Sequence, residues 1–459
     1  MKPAPQPEGA QKDELWLSIF AGLFGAFLGL TLLKFGNPPI MERFVTTPAG
    51  FWEFLLGYPW PIAWAYGVLV LVGVAGIAVA RWNSAAPRWL IALPLVWLVW
   101  QFIAGSQSVD PGLTQPTLKH FAACVLCFYL GYFPLSRVKR VWWFWLGLLG
   151  AFLLVLAFGL EQRFGGLKES RRMFYLYAYS QMKEVPPEYL KRISSERIFS
   201  TLLYPNAFAG ALLLLLPASL AALWQLRKLF TAGARWFLIG VVGTAGLACL
   251  YWSGSKGGWL LMLALGAAAL LRVPFSRQLK IAVVLGLLLI GLTGFFWRHA
   301  GFFQKGATSV SARFDYWRAA AQTVKDKPVF GTGPGTFAIA YQKVKRPESE
   351  MARLVHNDYL EQASDSGVPG LLAYAVFIVA ALAWSFPRAG GARGAGSEEW
   401  LTFSVWLGVL GWGLQGFVEF GLYLPALAWP AFTFLGWLLG RKRPMHGLER
   451  AARPGSPPA

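Results

Sequence analysis

Twelve long apolar runs constrain this chain more than any other feature. They fall at 15–33, 62–80, 89–104, 119–134, 141–160, 207–224, 236–252, 257–271, 281–297, 369–386, 400–420 and 424–440. An α-helix needs about 20 apolar residues to cross the hydrocarbon core of a bilayer. Inside that core a helix satisfies every backbone amide within its own segment, which an open sheet does not. The expected fold is therefore an all-α polytopic membrane protein with about 12 transmembrane helices. Composition agrees, with 56% hydrophobic and 14% charged residues and a mean hydropathy of +0.47; soluble domains carry roughly 25% charged residues. Tryptophans stand at many run ends (Trp16, Trp60, Trp89, Trp100, Trp142, Trp224, Trp259, Trp297 and Trp384), where amphipathic rings favour the membrane interface.

The first run is too long for a signal-peptide core and has no small-residue cleavage site, so it is expected to stay as a span. An even number of spans puts both ends on one side, and basic residues choose the side. With the N-terminus inside, the inner segments collect 20 Lys/Arg, while the short outer ones hold Lys34, Arg43, Lys119 and Lys256. Two long outer segments, 161–206 and 298–368, hold eight and ten, but long loops follow the rule poorly. Both termini are thus expected to be cytoplasmic. Residues 1–440 read as one transmembrane domain, and the Pro/Gly/Arg-rich 441–459 as a disordered cytoplasmic tail. The net charge of +20 then belongs to inner loops and anionic lipid surfaces, making membrane lipids the expected partners and nucleic acid not.

Few ionisable groups interrupt the runs: Lys119 and His120 at the outer edge of the fourth, and Glu419 near the outer end of the eleventh. Ion-coupled carriers line their path with buried carboxylates or histidines, so this scarcity speaks against one. Cys124, Cys127 and Cys249 lie in apolar runs and read as packing residues. The loop 161–206 alternates basic residues with Phe, Tyr and Leu, which suits short interfacial helices. Pro186-Pro187 ahead of Glu188, Tyr189 and Leu190 reads as a helix start.

The polar island 298–368 is far longer than a connection between spans requires, and loops of that length carry function. It has no HExxH, no Cys/His cluster and no DxD-like acidic pair, so neither metal nor cofactor is expected. There is no GxSxG. Gly331, Gly333 and Gly335 are followed by no GK[ST] and fit no βαβ unit, so they read as a tight turn between helical segments. Basic residues at the outer rim are the positive signal: Arg197 before TLLYPN, Lys256 in the hairpin SGSKGGW, and Arg313 in SARFDYW. Such groups either snorkel to lipid headgroups or neutralise a lipid-linked phosphate or diphosphate. His356 lies in VHNDYLEQASDSG, read as a helix leading into the tenth span. It is either a hydrogen-bonded structural histidine or a general base for a sugar hydroxyl. His299 has no motif around it and gets only the structural reading.

Taken in order, these motifs resemble the superfamily of O-antigen ligases and Wzy-type polysaccharide polymerases. The resemblance rests on Arg197 with Pro205-Asn206-Ala207, and on Ser253-Gly254-Ser255-Lys256-Gly257-Gly258, with Lys where the family usually has Arg. It continues through Arg313 and Trp317, Pro328 with Gly331-x-Gly333-x-Gly335-x-Phe337, and His356-Asn357-x-x-Leu360 with Gly367 and Gly370. It implies a GT-C-like helical fold in a bacterial inner membrane, with a large helical periplasmic loop between spans 9 and 10. The donor would be an undecaprenyl-diphosphate-linked glycan and the acceptor lipid A–core or another glycan. His356 would activate the acceptor hydroxyl. Arg197 and Lys256 would hold the diphosphate, with Arg313 in the loop's fold or on the diphosphate, and Asn357, Asn206 and Ser255 in support. Transfer would be direct, inverting and metal-independent. Ligase is preferred to polymerase because one outer loop dominates and the HND…GVPG segment is compact. A transporter of small anions or lipid-linked sugars is the reading from another class.

Overall fold

The computed structural model describes residues 8–82, 84–173, 175–176, 194–227, 229–273, 275–304, 308–347, 349–387 and 397–441. The expected helix start at Pro186-Pro187 and the tail beyond Arg441 lie outside them. Among the described residues all regular structure is helical. The α-helices are α1 Glu8–Lys34, α2 Phe51–Leu56, α3 Ile62–Val79, α4 Arg88–Gly105, α5 Pro111–Tyr132, α6 Trp142–Glu161, α7 Leu167–Met173 and α8 Pro205–Gln225. There follow α9 Ala232–Ser253, α10 Lys256–Arg272, α11 Arg277–Gln304, α12 Thr308–Asp326, α13 Phe337–Val344, α14 Asp358–Ser385, α15 Ser397–Gln415 and α16 Pro425–Gly440. Each of the twelve apolar runs falls on one of these helices. Nine of the described helices are long and apolar enough to cross a membrane. The other three that carry an apolar run, α10, α15 and α16, have 17, 19 and 16 residues. The chain is a multi-pass membrane protein, all-helical over the described residues.

Packing between the helices relies on close backbone approach rather than on a hydrophobic drive, which lipid does not supply. Gly436 of α16 lies against the Phe128 carbonyl of α5, and Gly131 of α5 against the Thr433 carbonyl of α16; a Cβ at either would overlap the facing backbone. Trp97, Trp412, Trp429 and Tyr374 fill the space around this seam. By contrast, little of α11 is buried, and it is pinned to α10 where Trp259 Nε1 donates to the Gly291 carbonyl at 3.1 Å.

Two boundaries differ from the sequence reading. Asp110 caps α5 by accepting from the Leu113 amide at 3.1 Å, and Pro111 at the first turn starts the helix eight residues before the apolar run. His120 is therefore buried inside α5, with Nε2 at 2.8 Å from the Leu422 carbonyl and Nδ1 accepting from Trp429 Nε1 at 3.1 Å. The run 369–386 is only the second half of α14. Ser366 and Gly367 (φ 72°) leave helical geometry, and the half before them carries Asp358, Glu361 and Asp365, all buried. It reads from sequence as a helix leading into the span, and the fold joins it to that span and covers it with the glycine turn. The scarcity of buried ionisable groups, used above against a carrier, does not extend to this half-helix.

That turn holds the lobe between α11 and α14 together. Thr332 and Gly333 donate backbone N–H to the Ser364 and Asp365 carbonyls at 3.0 and 2.8 Å, and the Gly335 amide donates to Asp365 Oδ2 at 2.7 Å. Val368 returns a bond to the Pro328 carbonyl at 2.8 Å. The lobe has its own small core of Tyr316, Ala319, Ala320, Phe337, Tyr341, Ala352 and Val355. Gly331, Gly333 and Gly335 all have positive φ, so the triplet is a turn, as its sequence suggested. A Cβ at Gly367 would meet the Val329 carbonyl as well as a left-handed backbone. Left-handed strain alone costs about 1–3 kcal/mol, so Gly367→Ala is expected to lower the thermal midpoint of the purified protein; an unchanged midpoint would contradict this packing.

Candidate active site

Four segments distant in sequence meet at the end of the bundle that carries this lobe. The first is 195–206. Gln162 holds it from below, accepting from the Ser200 amide at 2.7 Å and donating to the Ser200 carbonyl at 3.0 Å. Pro205 in the first turn of α8 then sets Asn206 at the helix entrance. Arg197 reaches across, donating Nε–H to the Ser253 carbonyl and Nη2–H to Asn206 Oδ1, each at 2.7 Å. Gly254, left-handed at φ 61°, ends α9 where the Arg197 side chain passes. A side chain at this position would press on the guanidinium.

The second segment presents His356. It is not in a helix, as the sequence suggested, but in a left-handed turn (φ 55°) immediately before α14. Asn357 is the N-cap, its Oδ1 accepting from the Tyr359 and Leu360 amides at 3.1 and 3.0 Å, and Glu361 Oε2 accepts from the Val355 amide at 3.1 Å. A non-glycine residue at positive φ is a strained arrangement that persists where its surroundings over-determine it. Here the cap and Glu361 do so.

The third segment, 416–422, is tied to that turn at both ends. The Asp358 amide donates to the Gly416 carbonyl at 2.7 Å, and Asp358 Oδ2 accepts from the Leu422 amide at 3.0 Å. Between these anchors stands Glu419. Its Oε2 lies 3.1 Å from His356 Nδ1, while Oε1 accepts from Asn206 Nδ2 at 2.5 Å and from Arg313 Nη2. Arg313 comes from the fourth segment, α12, and also donates Nε–H to the Val418 carbonyl at 3.1 Å. One turn on, the Tyr316 ring stacks on His356 at 5.9 Å, and Phe420 meets it edge-on at 4.8 Å. Burial pushes the Glu419 carboxyl up, but Arg313, His356 and Arg197 outweigh it and hold it below the usual carboxylate range. An ionised Glu419 accepts from Nδ1–H, which leaves Nε2 of a neutral imidazole as the proton acceptor.

The other residues picked from sequence divide into two groups. Lys256 stands beside this network, its ammonium 3.8 Å from the centroid of Phe302. Burial, then Arg197, Arg313 and Arg298, push that ammonium down to about 8. Ser255 is the N-cap of α10, accepting from the Gly258 amide at 3.3 Å, so its role, like that of Asn357, is local. His299 is buried against Phe295. Glu419 is the residue that sequence reasoning passed over. The available signal was its isolation: no other charged side chain occurs between Glu399 and Arg441.

Residues 241–375, from α9 to the middle of α14, match the model of the O-antigen ligase family, Wzy_C. Over that segment the chain is similar to the O-antigen ligase family. The segment holds Lys256, Arg313, His356 and Asn357, while Arg197, Asn206 and Glu419 enter the site from outside it. The chain is also similar to an uncharacterized protein of Haemophilus influenzae, 29% identical over 150 residues, which cover 28% of this chain and 38% of the relative's length.

Proposed function

We propose that this chain is an inverting, metal-independent glycosyltransferase that moves a glycan from undecaprenyl diphosphate to an acceptor hydroxyl, O-antigen to lipid A–core being the leading pair. The observation that carries the reading is the contact between Glu419 and His356, set beside Arg197, Arg313 and Lys256. The acceptor O–H gives its proton to His356 Nε2, and its oxygen attacks the anomeric carbon from the face opposite the diphosphate. The bond from that carbon to the diphosphate oxygen breaks, and the leaving group's charge falls to Arg197, Arg313 and Lys256. In this reading α10, α15 and α16 also cross the membrane, giving twelve spans in a GT-C-like arrangement. Both termini lie in the cytoplasm of a bacterial inner membrane and the site faces the periplasm.

Reconstitution in liposomes with an undecaprenyl-diphosphate glycan and candidate acceptors tests this directly. Transfer is expected to persist in EDTA, because fixed cations neutralise the diphosphate; loss that Mg²⁺ or Mn²⁺ restores would overturn the metal-free chemistry. Transfer only onto a second lipid-linked glycan would mark a polymerase. A carrier reading draws on buried Asp358, Glu361 and Asp365, but these grip the backbone amides of Leu422, Val355 and Gly335, and solute uptake without transfer is the result that would favour it.

Lys256 gives this reading a pH signature. An ammonium titrating near 8 is charged below that pH and loses its charge as pH rises through it. The donor kcat/KM, which reports the free enzyme, should therefore fall on the alkaline side of 8. Lys256→Arg, charged at every relevant pH, should flatten that limb; an unaltered limb would remove Lys256 from diphosphate binding.

A further inference from the structure

We propose that His120, buried in α5, is a positioning residue for the transfer: it fixes the segment 416–422 so that Glu419 reaches His356. This rests on the glycosyl-transfer reading above. His120 lies outside the matched residues 241–375, and the mechanism so far leaves it unused.

Between α15 and α16 the chain departs from the α-helix. Val418 and Glu419 still donate their amides back to the Gln415 carbonyl, and Gly421–Tyr423 forms a single 3₁₀ turn. The carbonyls of this stretch therefore need partners from elsewhere in the protein, because hydrocarbon supplies none. Leu422 and His120 are both 0% exposed, and His120 Nε2 lies 2.8 Å from the Leu422 carbonyl. Trp429 Nε1 stands 3.1 Å from Nδ1 on the other side of the ring. An indole N–H only donates and a carbonyl only accepts, so these two contacts fix the tautomer. Nε2 carries the proton and gives it to Leu422, with Cys124 Sγ a weak acceptor beside it at 3.7 Å.

The Leu422 peptide is thus gripped on both edges. Its amide donates to Asp358 Oδ2 at 3.0 Å, and its carbonyl accepts from His120. Asp358 also ties the far end of the segment, donating its own amide to the Gly416 carbonyl at 2.7 Å. Asp358 alone holds one edge of the Leu422 peptide and lets the plane turn about that bond. The Tyr423 hydroxyl donates to Asp365 Oδ2 at 3.1 Å and accepts from Gln362 Nε2 at 2.9 Å. Those bonds sit at the tip of a side chain and leave the plane unset. His120 sets it. A turn of this peptide passes through Gly421, a residue with little resistance to backbone change, to Phe420 and Glu419. Both meet His356, Phe420 edge-on at 4.8 Å and Glu419 with Oε2 at 3.1 Å from Nδ1. His120 acts through that second contact.

The test uses the full chain in liposomes with a polyprenyl-diphosphate glycan and a glycan acceptor. His120→Gln places an amide N–H where Nε2–H stood and keeps the bond to Leu422. His120→Asn is one methylene shorter; it still accepts from Trp429 but does not reach Leu422. The Gln variant leaves Trp429 without its acceptor, so it should lose thermal midpoint and keep kcat. The Asn variant should lower kcat about tenfold or more, a 1 Å misplacement costing about 10²-fold, with both KM values unchanged. In His120→Asn with Glu419→Gln, kcat should be no lower than in Glu419→Gln alone, since both changes act on one contact. Losses that multiply would make His120 an independent structural residue and overturn the proposal. Solid-state NMR of protein labelled at histidine nitrogens and glutamate carboxyl carbons reads the contact without substrate. Magnetisation transfer between His356 and Glu419 should be strong in the unaltered protein and the Gln variant, and weak in the Asn variant. Undiminished transfer in the Asn variant, or an equal loss of kcat in both variants, would overturn the role. If the Asn variant does not insert, the Gln variant decides: a kept contact supports the role and a lost one overturns it. An unaltered protein that transfers no glycan, yet whose contact depends on His120 in this way, would overturn the glycosyl-transfer reading and not the positioning.

Discussion

His356→Ala abolishes glycan transfer in reconstituted membranes while donor binding and membrane insertion persist: this is the largest effect expected from the site. General base catalysis contributes about 10²–10⁴-fold, enough to put the variant below detection in an end-point assay. The turn makes a sharper control possible. Asn tolerates left-handed backbone better than Ala does, so His356→Asn should keep the φ 55° turn and the fold yet remain inactive. An active Asn variant would show that His356 only shapes the turn. Equal thermal midpoints for the unaltered protein and the Asn variant would confirm that chemistry, not folding, was lost.

Glu419 should give the second largest effect, and its two replacements should separate. In Glu419→Ala, Arg313 and Asn206 lose their shared acceptor in a nearly enclosed site, where the Glu419 and Arg313 side chains are 10% and 18% exposed. Removing one partner of such a pair costs about 3–5 kcal/mol, visible as a drop in thermal midpoint. Glu419→Gln keeps an acceptor for Arg313 and Asn206 but gives His356 a neutral neighbour. Stability should be largely kept while kcat falls about 10²-fold, the cost of a catalytic group held about 1 Å out of place. Loss of stability without loss of kcat in the Gln variant would reduce Glu419 to a structural role. Because its folded carboxyl titrates below the usual range, the stability it contributes is complete above the ordinary carboxylate value and is lost as pH falls through the depressed one.

The helices were legible because a bilayer imposes length and apolarity on every crossing, and each of the twelve runs sits on a helix. Arg197, Asn206, Arg313 and His356 could be picked because they stand in short ordered motifs, and the fold brings them into one hydrogen-bonded group. Glu419 could not be picked by motif: a single carboxylate in an apolar run has no spacing to recognise, and its importance arises from segments 63 and 213 residues away. The first half of α14 was legible as a helix leading into the tenth span, but its burial was not. Its side chains are polar, and only the lobe's glycine turn, packed over them, explains why they are buried. Ser255 and Asn357 act as caps, and their side-chain oxygens are spent on the backbone beside them.

The half-helix 358–365 also acts as a ruler. It is fastened at its start through Asp358 to Gly416 and Leu422, and at its end through the carbonyls of Ser364 and Asp365 to the turn at 332–333. An α-helix advances 1.5 Å and turns 100° with each residue. One residue inserted or deleted between Asn357 and Ser366 would swing every side chain of this half by that angle and detach one fastening or the other. Point changes here can be absorbed; changes of length cannot. The interval from His356 to Gly367 is therefore fixed by a rotational phase, a constraint on chain variation at this site that operates independently of which side chains fill it.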